Sequence, residues 1–256
     1  MMGRVMTVER TPEPAVEKAD RIADWLRERI LTEKLADGAS LGRVADLASE
    51  YSVSMSSLRE ALRMLEAEGL VSMRRGPGGG VQVHPPTEQG AARNMALLLQ
   101  FRDVTLGDVQ EARIMFEPLA ARTLAERRDR RASAAALRRL VDAQRAVLDD
   151  IAAFGKANAE FHRQLSVLVG NQTVAIMAEM LAEIVERAIA ALGEAQAMLP
   201  RAGRTRSLTS QEQLLELIEL GAAADAEEHW RRHLRNAMRT HGGELERRVV
   251  ELLDHT

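Results

Sequence analysis

Ser54-Met55-Ser56-Ser57-Leu58-Arg59-Glu60-Ala61-Leu62 is the stretch that decides the fold. Close behind it come Glu68-Gly69-Leu70-Val71 and Arg74-Arg75-Gly76-Pro77-Gly78-Gly79-Gly80. Ser54 has the side chain of a helix N-cap, because its hydroxyl can accept from an orphan N–H of the first turn. Leu58, Ala61, Leu62 and Leu65 then recur at three- and four-residue steps and form one apolar stripe. Gly69 suits the position just past a helix end, where the backbone turns left-handed. Val71–Arg75 and Val81–His84 can pair as a hairpin around the glycine-rich turn. The order is therefore capped helix, glycine stop, basic hairpin.

Upstream, Ala19, Ile22, Ala23, Leu26 and Ile30 line one face of a helix expected over Val16–Lys34. Asp37-Gly38 marks a turn. A short helix over Val44–Glu50 follows, with Val44, Leu47 and Ala48 inward, then a tight turn through Tyr51-Ser52-Val53. Pro85-Pro86 closes the unit. Residues 16–86 thus read as three helices with a two-stranded wing, behind a loose arm over 1–15 that carries Pro12 and Pro14.

In a helix-turn-helix, the first turn of the second helix enters the major groove. Ser54, Ser56 and Ser57 are small hydroxyl residues that allow close approach and can donate to phosphates. Arg59 can reach a guanine edge or a phosphate with two parallel bonds, and Arg63 lies one turn further on. Arg74, Arg75 and the Gly76 backbone would set the wing against the adjacent groove. A lone serine cap with solvated arginines is the bland alternative. The glycine stop and the Arg-Arg-Gly wing favour DNA.

Bulk composition constrains the rest. The 256 residues suffice for one large or two ordinary domains, and 46% are hydrophobic, enough for a core. Aromatics are only 3%, which favours helices over sheets. There is no cysteine, which excludes disulfides, thiolate metal sites and a cysteine nucleophile. No apolar run resembles a signal peptide or a membrane span, so a soluble cytoplasmic protein is expected. Net charge is −3, and residues 1–86 hold 12 Lys/Arg against 13 Asp/Glu. Any attraction to DNA must come from a local patch.

After Pro86 the strand signal vanishes. A linking helix is expected over Gly90–Gln100, within a connector spanning 87–103. Thr105 and Asp108 form a capping-box pattern opening a helix to about Arg128. Further helices are expected near Ala134–Phe154, Lys156–Val169, Thr173–Leu199, Thr209–Leu220 and Ala224–Leu253. Thr209 with Glu212 repeats the capping-box pattern, while Gly170-Asn171 and Pro200–Arg206 are read as breaks. The fold class is mainly α: an N-terminal winged helix-turn-helix, then an all-α antiparallel bundle over 104–256.

Residues from about Val16 to Pro86 resemble the winged-helix domain of the GntR family. The resemblance rests on Leu41, Leu47-Ala48, Val53-Ser54, Arg59-Glu60-Ala61-Leu62, Leu65-Glu66-Ala67-Glu68-Gly69-Leu70-Val71 and Gly76–Gly80. Two positions depart from the family pattern. Met55 stands where the family commonly has Arg, and Ala45 where it often has a basic residue. Both are DNA-contact positions in the family, so an altered operator or weaker binding is implied.

From about Val104 onward the chain resembles the FCD effector domain of the FadR-like subfamily. The matching pieces are Glu111-Ala112-Arg113, Glu117-Pro118, Phe161-His162, Gly170-Asn171 and His233-Leu234. In that subfamily a divalent metal commonly sits inside the bundle. The ligand positions correspond here to Asn158, His162, Gln213 and His233. Two are neutral amides, which lack the charge of Asp and the donor strength of imidazole. A metal is therefore disfavoured, with His162 and His233 as the weak candidates and His229 as a potential extra ligand.

The same four residues would still be convergent polar groups in an apolar bundle, the usual form of a ligand site. Arg113 could grip a carboxylate effector, or form an internal salt bridge to Glu117 one turn on. A filled hydrogen-bond network without ligand is the other reading of the quartet. The sequence thus points to a transcription factor, acting as a homodimer on a palindromic operator, whose DNA affinity responds to a small carboxylate. A metal-dependent enzyme, a metal sensor and a non-sensing DNA-binding dimer are the alternatives.

Overall fold

A computed structural model describes residues 15–74, 76, 79–192 and 200–241. The chain divides into two compact units, 1–87 and 88–256.

The first unit contains α1 (Ala15–Thr32), β1 (Ser40–Gly42), α2 (Val44–Glu50), α3 (Met55–Ala67), β2 (Val71–Arg74) and β3 (Gly80–Val83). The stripe of α1 meets that of α3: Ile22, Leu26, Ile30, Leu58, Leu62 and Leu65 share one core with Val71, Val81 and Val83 of the sheet. Arg27 on α1 clamps Glu68 at the end of α3 with two bonds, 2.9 and 2.6 Å long. Ser54 caps α3 by accepting from Ser57 N at 3.2 Å. Gly69 follows with φ +75, a left-handed angle that lets the chain turn straight into β2.

The wing differs from the expected two-stranded hairpin. It is a three-stranded antiparallel sheet in the order β1-β3-β2, with Ser40 opposite Gln82. A three-residue strand is too short to show alternation in sequence. Its presence explains one glycine: a Cβ on Gly80 would lie 2.6 Å from the Gly42 carbonyl oxygen. The sheet's base is tied by His84, whose Nδ1 bonds Asp37 Oδ1 at 2.7 Å and whose Nε2 bonds Ser72 Oγ at 2.8 Å.

The second unit contains α4 (Glu88–Phe101), α5 (Leu106–Glu126), α6 (Arg130–Ala146), α7 (Ile151–Val167), α8 (Gln172–Leu192), α9 (Arg201–Leu220) and α10 (Ala223–His241). The Thr105–Asp108 capping box opens α5. Helix α4, expected as a connector, packs against α8 and shares a small core through Ala96, Leu106, Ile184 and Val185. The main core joins α5, α6, α7, α9 and α10 around Leu124, Leu137, Phe161, Leu165, Leu215 and Trp230.

Two boundaries correct the sequence reading. The helix expected over Ala134–Phe154 is two: α6 ends at Ala146, and Asp150 caps α7 by accepting from Ala153 N at 2.9 Å. Helix α9 begins at Arg201, so Pro200–Arg206 is not a break beyond its proline, and Thr209 is not a cap. The Thr209 hydroxyl instead donates back to the Thr205 carbonyl at 3.1 Å. Its spacing to Glu212 mimicked a capping box inside a continuous helix. The stretches 193–199 and 242–253, expected as helix, lie outside the described residues.

Candidate functional sites

The first site is the exposed start of α3. Ser54 and Ser56 are exposed and Ser57 is half-buried, with the Ser54 hydroxyl 3.0 and 2.9 Å from the other two. Helix N-terminal N–H groups and hydroxyls together favour an anion. Arg59 is exposed, with no ion pair among the described residues. Arg63 is exposed and pairs with Glu60 at 3.1 Å. Arg74 and Gly76 are exposed on the wing; Arg75 lies outside the described residues.

The second site is a cavity of about 560 Å³ inside the second unit, walled by α5, α7, α8, α9 and α10. All five residues expected to hold an effector line it: Arg113, Asn158, His162, Gln213 and His233. Their roles differ. Gln213 is exposed, whereas the amide two residues earlier, Gln211, is fully buried. Gln211 bonds Gln144 and donates to Asn158 Oδ1 at 2.9 Å, and Ser207 Oγ donates to the same oxygen at 3.4 Å. Asn158 is thus the cavity end of a buried amide ladder running from α6 through α9 to α7.

The organising group is Glu117, buried on α5. Its Oε1 accepts from Arg113 Nε at 2.7 Å. Its Oε2 accepts from His162 Nδ1 at 2.7 Å and from Trp230 Nε1 at 2.9 Å. The internal salt bridge of Arg113 is therefore formed, and Arg113 Nη1 also donates to Gln110 at 3.0 Å. Burial pushes the Glu117 carboxyl up, but the Arg113 charge, then His162 and the Trp230 bond, outweigh it and hold it at about 2. Burial pushes His162 down, and pushes His233 down to about 3 with help from His162. The rings of Trp230 and His233 stack at 4.4 Å, and those of His162 and His233 at 6.0 Å. His229, flagged as a spare ligand, instead donates Nε2–H to the Ser210 carbonyl at 2.8 Å.

These shifts fix a pH response of stability. Both imidazoles stay neutral in the fold, while the unfolded chain takes up protons below about 6.5. Their contribution is complete above that pH and is lost as pH falls through the lowered folded-state values, about 3 for His233. Glu117 acts in the same direction, from its ordinary 4.5 down to about 2. The urea midpoint of the second unit is expected to drop between about pH 7.5 and about pH 5, and less so in His233→Asn. An unchanged midpoint would contradict this burial.

Sequence reasoning overlooked several wall and network residues. Gln144 and Gln211 sit on apolar helix faces, where an amide is the only hint of a partner. Arg204, buried on α9, donates to the Leu148 carbonyl at 2.8 Å and lines the cavity. Arg206 and Arg232 line it too. With Arg113 the wall holds, among the described residues, four arginines and no Asp or Glu.

Comparison with known proteins matches both units of the chain. Residues 18–81 match the family described as bacterial regulatory proteins, gntR family, and residues 108–236 match the FCD domain. The chain belongs to the GntR family and carries an FCD domain. The HTH-type transcriptional regulator LutR of Bacillus subtilis is 27% identical over 84% of this chain and 97% of its own length. The transcriptional repressor NanR of an Enterobacter species is 26% identical, over 64% of each chain. A GntR protein of Streptococcus agalactiae shares the fold, with a TM-score of 0.61 at 21% identity, over 87% of this chain and 99% of its own. These relatives are transcriptional regulators, not enzymes, and this GntR protein is a DNA-binding regulator. No described helix is long and apolar enough to cross a membrane.

The FCD resemblance implies a metal, and the residues present do not fit one. The Asn158 oxygen that would coordinate already accepts two hydrogen bonds. Gln213 is exposed. Among the described residues no three His, Cys, Asp or Glu side chains cluster as a metal site would need. Two imidazoles facing an arginine-rich wall are too few strong donors for a divalent ion, and the nearby positive charge opposes one.

Proposed function

We propose that this regulator binds a palindromic operator as a homodimer, through α3 and the wing, and that a small anionic effector in the bundle cavity changes its operator affinity. The observation that carries the effector reading is the cavity wall: among the described residues, four arginines, three histidines and no carboxylate line about 560 Å³. Such a volume is that of an ordinary small-molecule site. With Arg113 paired to Glu117, the other three arginines leave the wall an excess of positive charge that attracts an anion, a carboxylate foremost, because arginine matches it with two parallel bonds. Repression is the mode favoured by the NanR name. The effector acts only through its difference in affinity between the DNA-competent and incompetent arrangements.

The dimer reading is supported by exposed apolar side chains on two neighbouring helices. Met115 and Leu119 on α5 are 67% and 52% exposed, and Ile176 and Met177 on the neighbouring α8 are 45% and 41% exposed. Large apolar side chains left exposed on both helices are available to an interaction surface.

At the DNA site, Ser54, Ser56, Ser57, Arg63, Arg74, Arg75 and Gly76 position the backbone, and Arg59 reads a base. Arg59→Ala is expected to lose about 1–3 kcal/mol of discrimination between operator and mutated operator. Operator selection from a random pool followed by competition binding measures it. Unchanged affinity and unchanged preference would remove α3 as the reading element. Met55 and Ala45 predict an operator that differs from those of family members with basic residues there.

A further inference from the structure

The disagreement between this cavity and a metal site raises the question of what does the metal's work. A bound ion would supply positive charge for an anion and take the imidazole lone pairs. Here each job has another holder. Glu117 accepts from His162 Nδ1, which puts a proton on that nitrogen. The Glu117 charge is already matched by Arg113 at 2.7 Å, so a second positive charge on buried His162 would stand unbalanced. His162 is 7% exposed and lines the cavity, and its Nε2 makes no hydrogen bond among the described residues. With Nδ1 on Glu117, Nε2 is the nitrogen left to serve the cavity as an acceptor.

The net charge for the anion comes from Arg204, Arg206 and Arg232 of the wall, while Arg113, its charge matched by Glu117, adds hydrogen-bond donors. Arg113 holds Glu117 through Nε and Gln110 through Nη1, leaving Nη2 with no bond among the described residues. Arg204 lines the same cavity from α9. The remaining surface includes Leu106, Ile114, Ile151, Phe154, Val185 and Leu234, which suit an apolar body.

Building on the effector reading above, we infer that the cavity binds an organic carboxylate directly, with no metal ion between, Arg113 and Arg204 meeting the carboxylate and Nε2 of His162 accepting a hydrogen bond from a donor on the ligand. His162 is then a specificity residue rather than a metal ligand. Glu117 is its positioning residue, because it fixes the tautomer that leaves Nε2 free. A ligand lacking the donor leaves that acceptor buried and unpaired.

The test is calorimetric titration of the chelator-treated full chain. The probes are short- and medium-chain 2-hydroxycarboxylates, each paired with its deoxy carboxylate and its 2-hydroxy amide. Stoichiometric binding by members of the series is expected without metal. The deoxy acid should bind about ten-fold more weakly or worse, the loss of one bond to a buried acceptor, and the neutral amide weaker still. Added zinc, nickel or manganese should leave affinity unchanged. His162→Phe should erase the difference between hydroxy and deoxy acids while keeping the deoxy acid's affinity. Binding that needs added metal, equal affinity for each pair, or no binding across the series would each overturn the inference. A probe that binds as expected but leaves operator affinity unaltered would count against the proposed regulation and not against this site.

Discussion

Replacing Glu117 by alanine is expected to lower the unfolding free energy of the second unit by about 3–5 kcal/mol, the range for deleting one partner of a buried ion pair. Three donors depend on this carboxylate: Arg113 Nε, His162 Nδ1–H and Trp230 Nε1–H. Its side chain is 6% exposed and that of Arg113 is 13% exposed, so water does not easily replace it. Glu117→Gln should cost less. Its amide oxygen can still accept from His162 and Trp230, while its NH₂ group faces the Arg113 N–H. Denaturant unfolding with a probe for each unit measures the change. The transition of residues 1–87 should not move, because the two units are separately compact. A loss under about 1 kcal/mol would show that the cluster contributes little net stability.

Trp230→Ala should cost about 3–5 kcal/mol in the same unit. Trp230 is 0% exposed and packs against Phe161 at 5.7 Å, His162 at 5.1 Å and His233 at 4.4 Å. Removing the indole leaves a void beside both imidazoles and strips a bond from Glu117. Trp230→Phe retains most of the apolar volume and deletes the N–H, so it should cost about 0.5–1.5 kcal/mol. Combining Trp230→Phe with Glu117→Ala should cost less than the two separate losses added together, because both remove the same 2.9 Å bond. Strict additivity in that cycle would mean that the bond has no energetic role. A cost for Trp230→Ala no larger than that for Trp230→Phe would show that the ring's packing does not matter.

The two predictions concern residues that the sequence displays unequally. Glu117 was legible only as a helix partner of Arg113, four residues away, because i,i+4 pairing is local geometry. Trp230 lies 113 residues further on, and no local rule joins it to α5. The amide ladder has the same character: Gln144, Gln211 and Asn158 occupy three helices. The false capping box at Thr209 fails for the opposite reason. The residue types were right, but helical propensity on both sides carried α9 through them to Arg201.

The amino-acid order by itself determined the winged helix-turn-helix, since Ser54, the stripe from Leu58 to Leu65 and Gly69 each act through neighbours within about one or two helical turns. It also determined that the described remainder is mainly helical, while the pairing of Asn158 with His162 one turn on came from the FCD resemblance. Only the tertiary structure decided that β1 completes the sheet, that Gln213 faces outward while Gln211 is buried, and that Glu117 gathers Arg113, His162 and Trp230. Those outcomes depend on how separate helices and strands meet. A buried polar atom takes whichever partner the packing brings within reach, and that choice is written in no local spacing.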